Sequence, residues 1–132
     1  MNKKNSSKIN FKRKKFRRIS KGIIYIKSSF NNTILTLTNL KGDVLAWSSA
    51  GSCGFKNSRK STPFVTKQAV DNLVKKLIDK GLQQIQVIIR GIGPGRETAL
   101  RCLQKTNLQM ILICDMTAIP HNGCRPPKKR RI

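Results

Sequence analysis

Ile85-Gln86-Val87-Ile88-Ile89-Arg90, then Gly91-Ile92-Gly93-Pro94-Gly95-Arg96-Glu97, then Thr98-Ala99-Leu100-Arg101-Cys102-Leu103 is the stretch that decides the fold of this 132-residue chain. A β-branched run, a glycine-rich turn and an apolar segment leading into a helix make a strand–turn–helix unit. The strand is nearly continuous in apolar residues at its end, as expected of a strand covered on both faces.

Working outward, residues 63–80 read as a second helix. Val65, Ala69, Leu73 and Leu77 form one stripe, Val70, Val74 and Ile78 widen it, and Gly81 stops it as a left-handed cap. Pro63 suits a first helical turn with Ser61 or Thr62 as its cap. On the other side, Leu108 through Cys114 forms a last strand.

Before the first helix the period is two. Ile23-Ile24-Tyr25-Ile26 and Thr33–Thr38 read as strands, Asn39-Leu40-Lys41-Gly42-Asp43 as a hairpin turn, and Val44–Ser48 as the returning strand. Asn31 and Asn32 suit the turn between the first two strands and tolerate left-handed backbone; contact with RNA is an alternative reading that turn chemistry does not require. The order β-β-β-α-β-α-β predicts a mixed sheet with helices packed on it.

Charge sets the partner. Lys plus Arg number 28 against 5 for Asp plus Glu, a formal net charge of +23. No acid precedes Asp43 and none follows Asp115, so both ends are purely cationic. Self-repulsion of that size opposes a compact monomer unless counter-charge is bound, and a phosphate backbone supplies it. The plan is a basic N-terminal arm (1–21), one α/β RNA-binding domain (22–117) and a basic, proline-rich C-terminal arm (118–132).

Pro120, Pro126 and Pro127 hold the C-terminal arm extended beside Lys128-Lys129-Arg130-Arg131. In the N-terminal arm Lys12, Arg13, Lys14, Lys15, Arg17 and Arg18 are the expected RNA contacts. No apolar run reaches the ~20 residues of a membrane span, and the basic stretches lack an apolar face for a bilayer surface. The N-terminal stretch makes a poor amphipathic presequence and reads as a retained arm.

Residues 48–61 combine hydroxyls, glycines and the cations Lys56, Arg59 and Lys60. An exposed connection and a phosphate-contacting surface both fit, and the helix N-terminus that follows favours the second. The Gly91–Arg96 turn invites a nucleotide-site reading. Its spacing is neither the dinucleotide fingerprint nor the triphosphate loop, and no acidic ribose or magnesium ligand stands at the right separation. The expectation is instead that Arg96 and the turn's exposed amides hold a fixed phosphate of a large RNA.

No catalytic set emerges. The five acids are scattered and the lone His121 sits among prolines. Cys53, Cys102, Cys114 and Cys124 form no paired ligand knuckle, so no metal and no cofactor is expected. Cys102 and Cys114 read as small core residues and Cys53 and Cys124 as loop residues, whose disulfide would need an oxidising compartment.

Five segments then carry a resemblance: Ser29-Phe30-Asn31-Asn32-Thr33; Ser49-Ala50-Gly51 with Gly54-Phe55; Ser58-Arg59-Lys60-Ser61-Thr62-Pro63-Phe64; Gly93-Pro94-Gly95-Arg96-Glu97; and Pro120-His121-Asn122-Gly123-Cys124-Arg125-Pro126-Pro127-Lys128. From about Gly22 to its end the chain resembles the universal ribosomal protein number eleven family of the small subunit, in its organellar type. The resemblance implies a three-layer α/β/α domain on the small-subunit platform, bound to central-domain rRNA. It also implies neighbouring platform proteins and a C-terminal arm near the messenger exit-site region, supporting assembly and translation, in a protein that is not a homo-oligomer and meets no membrane.

Carried over by residue, the implied RNA contacts are Asn31, Asn32, Lys56, Ser58, Arg59, Lys60, Arg96, His121, Asn122, Arg125, Lys128, Lys129, Arg130 and Arg131. Asn122 before Gly123 is also prone to succinimide formation. Asn57 stands where the family commonly has glycine. Gly91-Ile92-Gly93 before Pro94 and Cys114 before Asp115 look more like mitochondrial members, so the mitochondrial ribosome is the first expectation for location, with the plastid stroma second and a bacterial cytoplasm third.

Overall fold

A computed structural model describes residues 18–131. Its strands are β1 (Lys21–Ser28), β2 (Thr33–Thr38), β3 (Val44–Ser49), β4 (Gln84–Arg90) and β5 (Gln109–Asp115), and its helices are α1 (Pro63–Asp79) and α2 (Gly95–Gln104). Two short 3₁₀ turns, Gly51–Cys53 and Asn57–Ser61, lie between β3 and α1. The element order is the one read from the sequence.

One five-stranded sheet runs β3-β2-β1-β4-β5. β2 is antiparallel to β1 and β3, whereas β4 is parallel to β1 and β5. The hairpin between β2 and β3 is closed by Asn39, whose Nδ2 donates to Asp43 Oδ2 at 2.8 Å while its Oδ1 accepts from the Asp43 amide at 2.9 Å. These bonds reinforce the backbone pairing there, where the Asn39 amide donates to Asp43 O at 3.0 Å and the Gly42 amide to Asn39 O at 3.2 Å.

The core lies on one side of that sheet. Ile24 and Ile26, Leu35 and Leu37, and Ile85, Val87 and Ile89 alternate with less buried residues and join Ala69, Val70, Leu73 and Leu77 of α1 and Ala99 and Leu103 of α2 in one cluster. Each large aliphatic side chain buried there contributes about 1.5–3 kcal/mol by leaving water. The α/β class and the mixed sheet are as expected. Of the three expected layers the described residues form two, because both helices pack on the same face and on each other. For the same reason β4 is covered on one face only: Gln86 and Ile88 remain partly exposed, although β4 is central in the sheet.

α1 begins at Pro63 and buries Val65, Thr66, Ala69, Val70, Leu73 and Leu77. Ile78, expected on the packed stripe, is instead exposed, while its neighbour Leu77 takes the buried position in that turn. Gly81 follows with φ +74, and its amide donates to Ile78 O at 3.0 Å, which ends the helix as expected.

Candidate nucleic-acid interface

Strand directions decide where the loops go. With β1, β3, β4 and β5 all parallel and β2 alone reversed, the carboxyl ends of four strands and the start of β2 share one end of the sheet. Four connections leave from that end: the Ser29–Asn32 turn, residues 50–62, the turn 91–94 and the C-terminal segment after Asp115. Carboxyl ends of parallel strands are where open α/β sheets present their loops to ligands. The opposite end carries Arg18, the Asn39–Asp43 hairpin and Gly81.

Asn31 and Asn32 therefore sit at the loop-rich end. The turn is built mainly by Ser29, whose amide and hydroxyl both donate to Asn32 O, at 2.9 and 3.0 Å, and whose Oγ accepts the Asn32 amide at 3.2 Å. Neither asparagine takes left-handed backbone; among the described non-glycine residues Asn57 (φ 57) and Asn122 (φ 54) do so. That accounts for Asn57 where the resemblance leads one to expect glycine, since asparagine tolerates this region better than other side chains.

Residues 50–62 fold into the two 3₁₀ turns. Ser49 and Ser52 exchange amide–hydroxyl bonds of 2.9 and 3.1 Å, and Phe55 meets Phe64 edge-on with centroids 6.5 Å apart. Ser61 Oγ donates to Ser58 O at 2.8 Å, and Thr62 Oγ1 to Arg59 O at 2.9 Å. Thr62 is the residue before α1, yet its hydroxyl points back into the loop and does not cap the helix. Lys56, Ser58 and Arg59 are exposed; Lys60 is half-buried, its stem passing over Gly51.

The glycine turn after β4 differs from its expected role. The Gly91 amide donates to Thr117 Oγ1 at 3.2 Å, the Gly93 amide to Ser28 O at 3.1 Å and the Arg96 amide to Gly93 O at 3.3 Å. These three amides are engaged within the protein and so are not among the exposed donors expected to hold a phosphate. The glycines have a packing reason instead: a Cβ on Gly91 would collide with Ser28 O, and one on Gly93 with Ser29 O.

Arg96 is likewise engaged within the protein. Its Nη1 donates to Gly91 O at 2.9 Å and its Nη2 to Asp115 Oδ2 at 2.6 Å. Asp115 Oδ1 accepts from the Thr117 amide and hydroxyl at 3.0 and 2.6 Å, and Thr117 Oγ1 accepts from Gly91. The circuit closes on itself. The Arg96 hydrogen bond, followed by those from Thr117, holds the Asp115 carboxyl down at about 2. Sequence reading missed Asp115 and Thr117, because their partners come from β4 and α2, a strand pairing away.

Beyond Thr117 residues 118–131 are exposed and without regular structure. His121, Asn122, Arg125, Lys128, Lys129, Arg130 and Arg131 lie here, with a bend that brings Gly123 back against Pro120. Arg18 is apart from all of these, beside Gly81 at the other end. Lys12, Arg13, Lys14, Lys15 and Arg17 lie outside the described residues. The acids nearest the loop-rich end, Glu97 and Asp115, each pair with an arginine, Arg101 at 3.3 Å and Arg96 at 2.6 Å. What remains is cationic.

The cysteines are free thiols. Cys53 packs partly on the core and accepts from Asn72 Nδ2 at 3.3 Å; burial pushes the Cys102 thiol up. Among the described residues no three His, Cys, Asp or Glu side chains gather as metal ligands, and no helix is long and apolar enough to cross a membrane.

Comparison with known proteins gives this geometry a family. Residues 22–131 match the family described as Ribosomal protein S11. The small ribosomal subunit protein uS11c of Tupiella akineta is 57% identical over 121 residues, 92% of this chain and 93% of that one. Its counterpart in Pleurastrum terricola is 60% identical over 116 residues, 88% and 90% of the two chains. In Marchantia polymorpha the identity is 51% over 129 residues, 98% of each. Proteins of this family are structural components of the small subunit and not enzymes. The relatives are chloroplast forms, which corrects the mitochondrial expectation. Of the residues behind that expectation, Gly91 and Gly93 are fixed by their approach to β1; Cys114, expected in the core, is instead half-buried beside Ile88 on the sheet face away from the helices.

Proposed function

The chain belongs to the ribosomal protein S11 family, and from that premise we propose that this structural constituent of the small ribosomal subunit binds central-domain rRNA at the platform through the loop-rich end of its sheet. The observation that supports it is the common exit of four connections, which places Asn31, Asn32, Lys56, Ser58, Arg59, Lys60 and the root of the C-terminal arm at one end. Cations there neutralise phosphates and release condensed counterions, which gives affinity independent of sequence. Asn31 and Asn32 add amide groups able to meet 2′-hydroxyls or base edges.

The arm extends the contact. His121, Asn122, Arg125, Lys128, Lys129, Arg130 and Arg131 reach along grooves that a folded domain cannot enter, toward the messenger exit-site region and neighbouring platform proteins. Lys12, Arg13, Lys14, Lys15, Arg17 and Arg18 supply a second set of basic contacts from the N-terminal arm, so that arm, domain and arm (1–21, 22–117, 118–132) all bind rRNA. Arg96 acts by fixing the root of the C-terminal arm. The compartment is the plastid stroma, on the strength of the chloroplast relatives.

The test is sedimentation of a plastid lysate in a sucrose gradient at high salt. Adventitious phosphate contacts lose orders of magnitude in affinity as salt rises. The expected result is persistence with the small subunit. Recovery at the top of the gradient, or with DNA, rejects the reading.

A further inference from the structure

The sheet face turned away from the helices is built as a surface of its own. Strand register puts Trp47, Thr36, Tyr25, Ile88 and Cys114 in one row across it, and Ile34, Lys27 and Arg90 in the next. Lys21 and Ile23 continue the parity of Tyr25 along β1. Trp47 is 55% exposed and Ile34 37%.

Charge on this face has a single sign. Asp43 lies in the hairpin turn, Asp71 and Asp79 on α1, Glu97 on α2, and Asp115 pairs with Ile89 on the helix side. All five acids of the chain are thereby accounted for, and the face keeps Lys21, Lys27 and Arg90. A protein partner seated on exposed aromatic and aliphatic side chains has no need of an acid-free face; a polyanion that stacks does. Tyr25 and Trp47 stand two strand spacings apart, about 9–10 Å, with the small Thr36 between them. A shallow hollow of about 250 Å³ beside them is lined by Tyr25, Lys27, Ile34, Thr36 and Arg90. Aromatic rings receive bases of any sequence, while adjacent cations track the backbone.

We propose that this open face is a second RNA surface, on which unpaired bases stack against Tyr25 and Trp47 while Lys27 and Arg90 hold the flanking phosphates. Lys27 and Arg90 are the penultimate and last residues of β1 and β4, so the surface continues directly into the loop-rich end. The inference rests on the rRNA-binding reading and adds where unpaired bases go.

The chain carries its own reporter, because Trp47 is its one tryptophan and Tyr25 its one tyrosine. The full chain is titrated with a transcript of the small-subunit rRNA central domain and, separately, with heparin, a polyanion without bases. Binding is followed by mobility shift, and Trp47 by fluorescence and acrylamide quenching. The expected result is that the transcript quenches Trp47 with the midpoint of the mobility shift and shields it from acrylamide, and that heparin binds without quenching. Trp47→Leu should weaken transcript binding about five-fold or more with the circular dichroism unchanged, as loss of one stacked base requires. Transcript binding with Trp47 unquenched and still accessible overturns this inference and leaves rRNA binding standing. Shielding of Trp47 only in the assembled subunit assigns the face to a protein and also overturns it. No preference for the transcript over heparin rejects the rRNA-binding reading itself.

Discussion

Arg96 and Asp115 meet at 2.6 Å, one at the start of α2 and the other at the end of β5, and their pairing ties the turn after β4 to the root of the C-terminal arm. Exposed ion pairs add little to global stability, so the value of this one is directional. Through Thr117 and Gly91 it fixes where the arm leaves the sheet. In Arg96→Ala the thermal midpoint should therefore move only slightly. Amide exchange at Gly91 and Thr117 should rise, since both amides donate into the circuit. Unchanged exchange in the variant would remove the arm-positioning role.

The same pair predicts a pH dependence. Asp115 titrates at about 2 in the fold against an ordinary 3.8, so its contribution is complete above about 4 and is lost as pH falls through the folded value. The arm root should loosen between about pH 4 and pH 2 and stay closed at neutral pH. Carboxyl chemical shifts of Asp115 would report the midpoint directly, and Arg96→Ala should return it toward the ordinary value.

Gly93 tests the packing account of the glycine turn. A methyl there faces Ser29 O and would also stand 2.7 Å from Ser28 Oγ, with backbone on the other side and no room to yield. Gly93→Ala should cost more than about 3 kcal/mol in urea unfolding, comparable to truncating Leu73 in the core, for which about 2–5 kcal/mol is expected. Gly123→Ala in the exposed arm should stay within about 0.5 kcal/mol. A mild Gly93→Ala phenotype would reopen a ligand-contacting role for the turn.

Periodicity made the element order legible, and Gly81 and the Asn39–Asp43 turn marked ends that local chemistry alone decides. Whatever depends on pairing across the sheet was hidden. Arg96 read as a free cation because its carboxylate lies 19 residues away, brought close only by the parallel register of β4 and β5. The single helical layer follows from β3 running parallel to β1, which sends both crossovers over the same face; a run such as Val87-Ile88-Ile89 carries no mark of that. Nothing in the sequence singled out Lys27 and Arg90, which only the β1–β4 register sets side by side, two residues along from Tyr25. The mitochondrial expectation, overturned by the chloroplast relatives, rested partly on Gly91 and Gly93, whose places answer to close packing against β1.

Salt dependence separates cations that meet phosphate from those that serve the fold. Among the described residues Lys56, Arg59, Lys60, Arg125 and Lys128 form no salt bridge, whereas Arg96 holds Asp115 and Arg101 holds Glu97. Replacing one phosphate-contacting cation with alanine should lower the slope of log K against log salt by about one. Arg59→Ala and Lys128→Ala should each do so on a central-domain transcript. Arg101→Ala should leave the slope unchanged, and Arg96→Ala should reduce affinity, by releasing the arm, more than it reduces the slope. Equal slopes for wild type and Arg59→Ala would place residues 50–62 outside the phosphate contact.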